Sequence, residues 1–273
     1  MASLPGDPPG TLPKDVDGDK PAAARVYDYL LGGDCNFAAD RELARKTLSV
    51  LPEAAAMARI NRAFLGRAVR FCAKNGITQF LDLGSGVPTV GNVHEVAQQV
   101  APDCRVVYVD NDPVAVAHSE MILEDNDLAG VVHADVRTPQ AVLRSPVTTA
   151  LIDFDRPVAV LMVALLHFVP DSARPKDIVA SFRERMAPGS MVVISHGTDD
   201  AQTDEMRRVA DFYASSTNPL TVRKYDEVKE LFAGFELAEP GLVWAPEWRP
   251  QDCDPGTGAP SISGVHVGVG LKP

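Results

Sequence analysis

An α/β fold built on a mostly parallel sheet is what this chain predicts, on two observations. From residue 79 onward, short apolar runs alternate with segments of helical spacing. Strands that alternate with helices demand a parallel sheet. The first apolar run opens into Gly84-Ser85-Gly86, a turn that only small residues make tightly. With 273 residues, 45% of them apolar, the chain is long enough for one large core.

Taken in order, residues 1–20 are rich in Pro, Gly and Asp without periodicity and read as a disordered tail. A helix is expected from Pro21 to the Gly32-Gly33 stop. Helices over 38–50 and 52–74 follow, the last ending at Asn75-Gly76. Residues 21–76 are therefore all-helical, expected to cap the strand ends of a domain spanning 77–273. That domain opens with strand 79–83, helix 91–100, strand 105–109, helix 113–123, strand 130–133 and a short helix 138–143. Val93, Val96, Ala97 and Val100 share one face of the first of these helices. Strand 157–163 is wholly apolar, as suits a strand covered on both faces. Helix 175–186, strand 189–195 and helices 200–215 and 225–232 come next. Strands 235–243 and 265–271 close the chain, joined across the Pro/Gly/Asp-rich stretch 244–263. Such a hairpin makes the last of seven strands antiparallel. The sequence contains no internal repeat.

Strand, glycine turn, helix, strand, acid is the first half of a Rossmann-like, doubly wound nucleotide site. The acid is Asp110, placed to accept from ribose hydroxyls. Gly84 and Gly86 let the backbone approach a ligand, and Ser85 is expected to present its amide to the same space. The dinucleotide fingerprint fails, because Thr89 stands where its third glycine would be. Asp82, two residues before Gly84, suits a ligand with positive charge near the turn and repels a pyrophosphate. S-adenosylmethionine carries an ammonium and a sulfonium. Asp135 ends the third strand, where it and Val136 would flank an adenine ring. Asn111 either lies under the adenine or begins the turn to Pro113. Asn92, His94 and Glu95 open the first helix of the sheet domain, whose N-terminus favours an anion; capping is the plainer role for His94 and Glu95.

These motifs resemble the class I S-adenosylmethionine-dependent methyltransferases. DLGSG matches their first motif, YVDND the second-strand motif and HADVR the third-strand motif. Within them the chain is similar to a largely uncharacterised actinomycete group, through RVYDYLLGG and NFAADRE in residues 25–42, LGSGVPTVGNVHEVAQ in 83–98 and VALLHFVPD in 163–171. The group's Lys-Asp pair after the double glycine is Asp34-Cys35 here. The resemblance implies S-adenosyl-L-methionine as cofactor and cofactor contact from the set Tyr27, Asn36, Phe37 and Arg41. Spacing alone reads those aromatics as helix packing and Arg41 as solvent-facing. His167, after the fourth strand, is expected on the substrate side as a general base if the acceptor must lose a proton. His196 is a second candidate. Trp244 and Trp248 either line an acceptor pocket or pack the late loop. Residues 162–169 read MVALLHFV, without the Asn/Asp-Pro-Pro-Tyr pattern of nucleobase-amine methylation.

A net charge of −11 disfavours nucleic acid and anionic membranes as partners. No apolar run is long enough to span a membrane, and no leader is read at the N-terminus. Cys35, Cys72, Cys104 and Cys253 show no CxxC spacing and are expected as free thiols in a reducing cytoplasm. The six histidines form no ligand cluster, so no metal is expected. The reading is thus methyl transfer to a small-molecule acceptor. A non-catalytic S-adenosylmethionine-binding sensor is the alternative, and an NAD(P)-dependent oxidoreductase the second, opposed by Asp82, Asp135 and the missing glycine.

Overall fold

The structure, a computed structural model, describes residues 16–88, 91–252, 254 and 258–273. Thr89, Cys253 and residues 1–15 of the expected tail lie outside them. Three helices come first: α1 (Ala23–Leu31), α2 (Ala38–Val50) and α3 (Ala54–Lys74). The alternating part runs β1 (Gln79–Leu83), α4 (Val93–Val100), β2 (Arg105–Asp110), α5 (Pro113–Ile122), β3 (Ala129–His133), α6 (Pro139–Leu143), α7 (Pro146–Leu151) and β4 (Ala159–Val163). It continues with α8 (Pro175–Arg185), β5 (Met191–Gly197), α9 (Thr203–Tyr213), α10 (Tyr225–Glu230), β6 (Glu236–Leu237), β7 (Val243–Trp244) and β8 (Val265–Leu271).

The sheet runs β3-β2-β1-β4-β5-β8-β6, with β7 also paired to β8. Strands β1 to β5 pair parallel, and β8 pairs antiparallel with β5, β6 and β7. The expected doubly wound, mostly parallel sheet is present, with an antiparallel last strand. One detail differs: expected strand 235–243 is two short strands, giving eight among the described residues. Pro240 offers no ladder N–H, and Gly241 turns the chain at φ 94°. Helix α7 went unread because a six-residue helix directly behind Pro146 shows no full period.

Alternating strand residues face opposite layers. Phe80, Val106, Leu161 and Val193 pack against α3 and α4. Leu81, Val107, Val160 and Ile194 pack against α6, α8 and α10. Phe64, Leu65, Ala68 and Cys72 place α3 inside the first of these layers. Helices α1, α2 and α9 form a third apolar cluster through Val26, Leu43, Ala44, Met206 and Val209. Helices α1 and α2 of the expected cap thus share an apolar cluster with α9, while α3 is one of the sheet's covering layers.

A buried ion-pair set fastens α1 over the sheet edge. Arg25 Nε donates to Asp40 Oδ2 at 2.9 Å and its Nη1 to Asp112 Oδ2 at 3.1 Å. Asp112 also caps α5, accepting from the Val114 and Ala115 N–H groups.

Candidate active site

Strand order reverses between β1 and β4, and open α/β sheets hold ligands at such a reversal, beyond the C-terminal strand ends. A cavity of about 260 Å³ lies there. Gly84, Ser85 and Gly86 after β1 line it, with Asp110, Asn111 and Asp112 from the end of β2. Asp135, Val136 and Arg137 close the β3 side, and Ala164 and Leu165 the β4 side. Tyr27 of α1 and Asn61, Arg62 and Leu65 of α3 form a wall. Phe168 and Pro170 add to it, as do Thr217 and Asn218 from the loop after α9.

The turn is built by hydrogen bonds to β2. The Gly84 and Ser85 N–H groups both donate to the Val109 carbonyl, at 2.8 and 3.1 Å. The Ser85 amide is therefore engaged inside the turn, a correction to its expected ligand-facing role. Ser85 Oγ is buried without a hydrogen-bond partner among the described residues, and such a group suits a polar ligand. Gly84 sits at φ 66°, and a Cβ there would come within 2.5 Å of Leu165. Gly86 sits at φ 67°, and a Cβ there would meet nothing within 4 Å. The space beside it is open.

Asp110 accepts from the Gly86 N–H at 2.7 Å and the Asp112 N–H at 2.9 Å, one oxygen each. Burial pushes its carboxyl up to about 6, against the pull of those two amides. Burial pushes Asp82 up to about 7, opposed by Arg62 and reinforced by Asp110. Asp82 and Asp110 are both buried at strand tips on the α3 face, so a cation in the cavity would be welcomed by two carboxylates. Asp135 is different. Burial raises it, but the Arg137 guanidinium and amide outweigh that and hold it below the usual range. Arg137 donates to both carboxylate oxygens.

Tyr27, Asp82, Gly84, Ser85, Gly86, Asp110, Asn111, Asp135 and Val136 are thus brought to one cavity. Four expected residues are not among those lining it. Asn36 donates to Asp28 Oδ2 and the Gly33 carbonyl at 2.8 and 2.9 Å. Arg41 donates to the Asn36 carbonyl at 2.7 Å. Phe37 precedes α2 with its ring against Arg25, 4.9 Å from guanidinium carbon to ring centre. All three build the α1–α2 corner.

His167 is the fourth correction. It is buried beside the end of β5, where its Nδ1 accepts from the Gly197 N–H at 3.0 Å. Desolvation and the nearby Arg223 charge push it down to about 3. Its lone pair is committed and its proton sits on Nε2, so it is not placed as the expected base. His196 is likewise pinned, accepting from Arg223 Nη1 at 2.8 Å. Trp248 packs between Phe64 and Phe71, and Trp244 stacks on His266, so both tryptophans fasten the late segment. His94 shares a hydrogen bond with Tyr108 at 2.8 Å and is structural. The reading missed Asn61, Arg62, Phe168 and Asn218, all in the wall. Helical and loop residues carry no motif, and only the polarity of Asn61-Arg62 inside an apolar helix hinted at them.

A glycine turn between acids at the tips of β1, β2 and β3, on this strand order, defines a nucleotide-binding α/β protein of the methyltransferase kind. Residues 9–273 match the model of a family described as S-adenosyl methyltransferase. The chain belongs to that family and is an S-adenosylmethionine-dependent methyltransferase. A protein of Thermobifida fusca YX, provisionally named a methyltransferase, is 40% identical, covering 94% of this chain and 96% of its own, with TM-score 0.88. A DUF574 family protein of Streptomyces avermitilis MA-4680 is 36% identical over 94% of this chain and 99% of its own, with TM-score 0.90. The N-methyltransferase NodS of Bradyrhizobium japonicum WM9, crystallised with S-adenosyl-L-homocysteine, shares the fold at 14% identity, over 91% of this chain and 99% of its own, with TM-score 0.50. No curated protein matches the sequence. No helix among the described residues is long and apolar enough to cross a membrane.

Proposed function

We propose that the cavity between β1 and β4 binds the methyl donor and that the acceptor is a small molecule rather than a nucleic acid. Asp110 takes the ribose, Asn111, Asp135 and Val136 the adenine, and the Gly84–Gly86 turn with Asp82 the methionine end. The observation that carries this is the pair of buried acids, Asp82 and Asp110, facing a cavity that also holds the Ser85 hydroxyl, which has no partner among the described residues. These donors and acceptors fit a ligand with hydroxyls at one end and cationic groups at the other.

When bound, S-adenosylmethionine supplies a methyl group on a sulfonium, a good leaving group. The protein's part is then mainly to orient and to exclude water, worth up to roughly 7–11 kcal/mol in favourable systems. Phe168, Leu65 and Val163 provide apolar wall for that. The acidic chain, net −11, supports a small-molecule acceptor. Buried free Cys72 and Cys104 support a reducing cytoplasm. The RVYDYLLGG motif, with kinship to the Thermobifida and Streptomyces proteins, supports membership of the actinomycete group.

Calorimetry tests the site. Asp110→Ala leaves ribose hydroxyls unpaired, at a cost of about 1.5–3 kcal/mol, so affinity for S-adenosylhomocysteine falls at least tenfold while the fold survives. An unchanged dissociation constant would move the ribose elsewhere.

A further inference from the structure

The β4 end of the cavity is held by a chain of hydrogen bonds that the cofactor motifs do not contain. Ala164, just past β4, lines the cavity in the left-handed region at φ 54°. A side-chain-bearing residue keeps that conformation only when its surroundings impose it. Here its N–H donates to Ser195 Oγ at 2.8 Å. The Ser195 hydroxyl donates in turn to Asn61 Oδ1 at 2.6 Å. Asn61 Nδ2 donates to the Tyr27 hydroxyl at 3.0 Å, which donates to the Ala58 carbonyl at 2.9 Å. Each hydroxyl has one proton and each is used once, so the chain has a single direction. It crosses from β4 through β5 and α3 to α1. Ser195 and Asn61 are buried, and Asn61 and Tyr27 themselves line the cavity.

The sheet order places this chain. Asp110 and Asp135 lie at the tips of β2 and β3, on one side of the glycine turn, and Ala164 lies at the tip of β4 on the other. A ligand whose ribose sits on Asp110 and whose adenine sits toward β3 must extend its remaining end toward β4. We propose that Ser195 and Asn61 are positioning residues for the amino-acid end of the methyl donor: they fix the Ala164 turn and the Tyr27 ring that wall it. This rests on the cofactor assignment above.

The test compares two ligands by calorimetry. S-adenosylhomocysteine has the amino-acid end, and 5′-methylthioadenosine has the adenine, ribose and thioether without it. Ser195→Ala removes one hydroxyl from the chain and leaves the Ala164 N–H without its acceptor. Affinity for S-adenosylhomocysteine is expected to fall about tenfold, the worth of one lost buried bond, and affinity for 5′-methylthioadenosine to stay within about twofold. Tyr27→Phe, at the far end of the chain, is expected to give the same selective loss. The double variant is expected to lose less than the sum, because the two act through one chain. Equal losses for both ligands would mean general loosening and would overturn the proposal, as would unchanged affinities or strictly additive effects. Wild-type protein that binds neither ligand would sink the cofactor assignment itself, a different pattern from any of these.

Discussion

Asp82 and Asp110 set the behaviour of the site at the scale of single residues. Both carboxyls are raised, to about 7 and about 6, chiefly by burial. A carboxyl raised in the folded state stabilises the fold at low pH, and that contribution is lost as pH rises through its folded value. The ligand-free protein is therefore strained above neutrality by two buried charges that a cationic ligand would relieve. Asp82→Asn is expected to raise the melting temperature of the free protein at about pH 8, and by progressively less down to about pH 4, the ordinary carboxyl range, while weakening S-adenosylmethionine binding. A variant no more stable at the higher pH would show that Asp82 is better solvated than its burial implies. For the wild type the sign is the reverse of the stability effect. Calorimetric affinity for S-adenosylmethionine should fall as pH is lowered from about 8 to about 5, because protonated carboxyls no longer attract the cation. Strand parity makes part of this readable from sequence. Asp82, Asp110 and Ser195 share the face of Phe80, Val106 and Val193, whereas His196 falls on the other. His167 was misread because the chain turns at Ala164 and its ring is then committed to the Gly197 N–H. Nothing in a linear motif announces such a turn at an alanine.

Between elements, the decisive contact is the buried set Arg25–Asp40–Asp112. Asp112 N–H donates to Asp110, so the latch of α1 and the proposed ribose acid share one turn. Removing the guanidinium leaves two buried carboxylates without their cation. Arg25→Met is expected to cost about 3–5 kcal/mol in urea unfolding, the range for breaking a buried pair from one side. A loss well under about 1 kcal/mol would mean that water reaches the acids, as at exposed pairs. The elements themselves were mostly readable. Ranges 38–50, 79–83 and 265–271 fall where capping and periodicity put them. Where reading failed, the cause is local: Pro240 and Gly241 break one expected strand, and α7 is too short to show a period. The latch was not readable, because an Arg and two Asp residues far apart in sequence become partners only once α1 has docked.

For the whole molecule, helical content misled about layers. An all-helical stretch before the first strand read as one cap, yet α3 buries Phe64, Leu65, Val69 and Cys72 against the sheet. We propose that the cap proper is α1, α2 and α9, joined by Met206, Val209 and Tyr213. A chain beginning at Gln79 would lose one covering layer as well as Tyr27, Asn61 and Arg62 from the cavity wall. It is expected to aggregate on expression and to bind no S-adenosylhomocysteine; a soluble fragment with native affinity would show that neither α3 nor the cap matters to core or site. Fold class and cofactor were both readable, because a repeated strand–helix alternation and three strand-end acids are local signals. The acceptor side was not, since its walls come from helices and loops brought together only by the fold. The most direct measurement is a crystal structure with S-adenosylhomocysteine bound. It should show the ribose hydroxyls on Asp110, the adenine beside Val136 and the amino-acid end between the Gly84–Gly86 turn and Ala164. Ligand density elsewhere, or a cleft that takes NAD and not S-adenosylhomocysteine, would contradict the account.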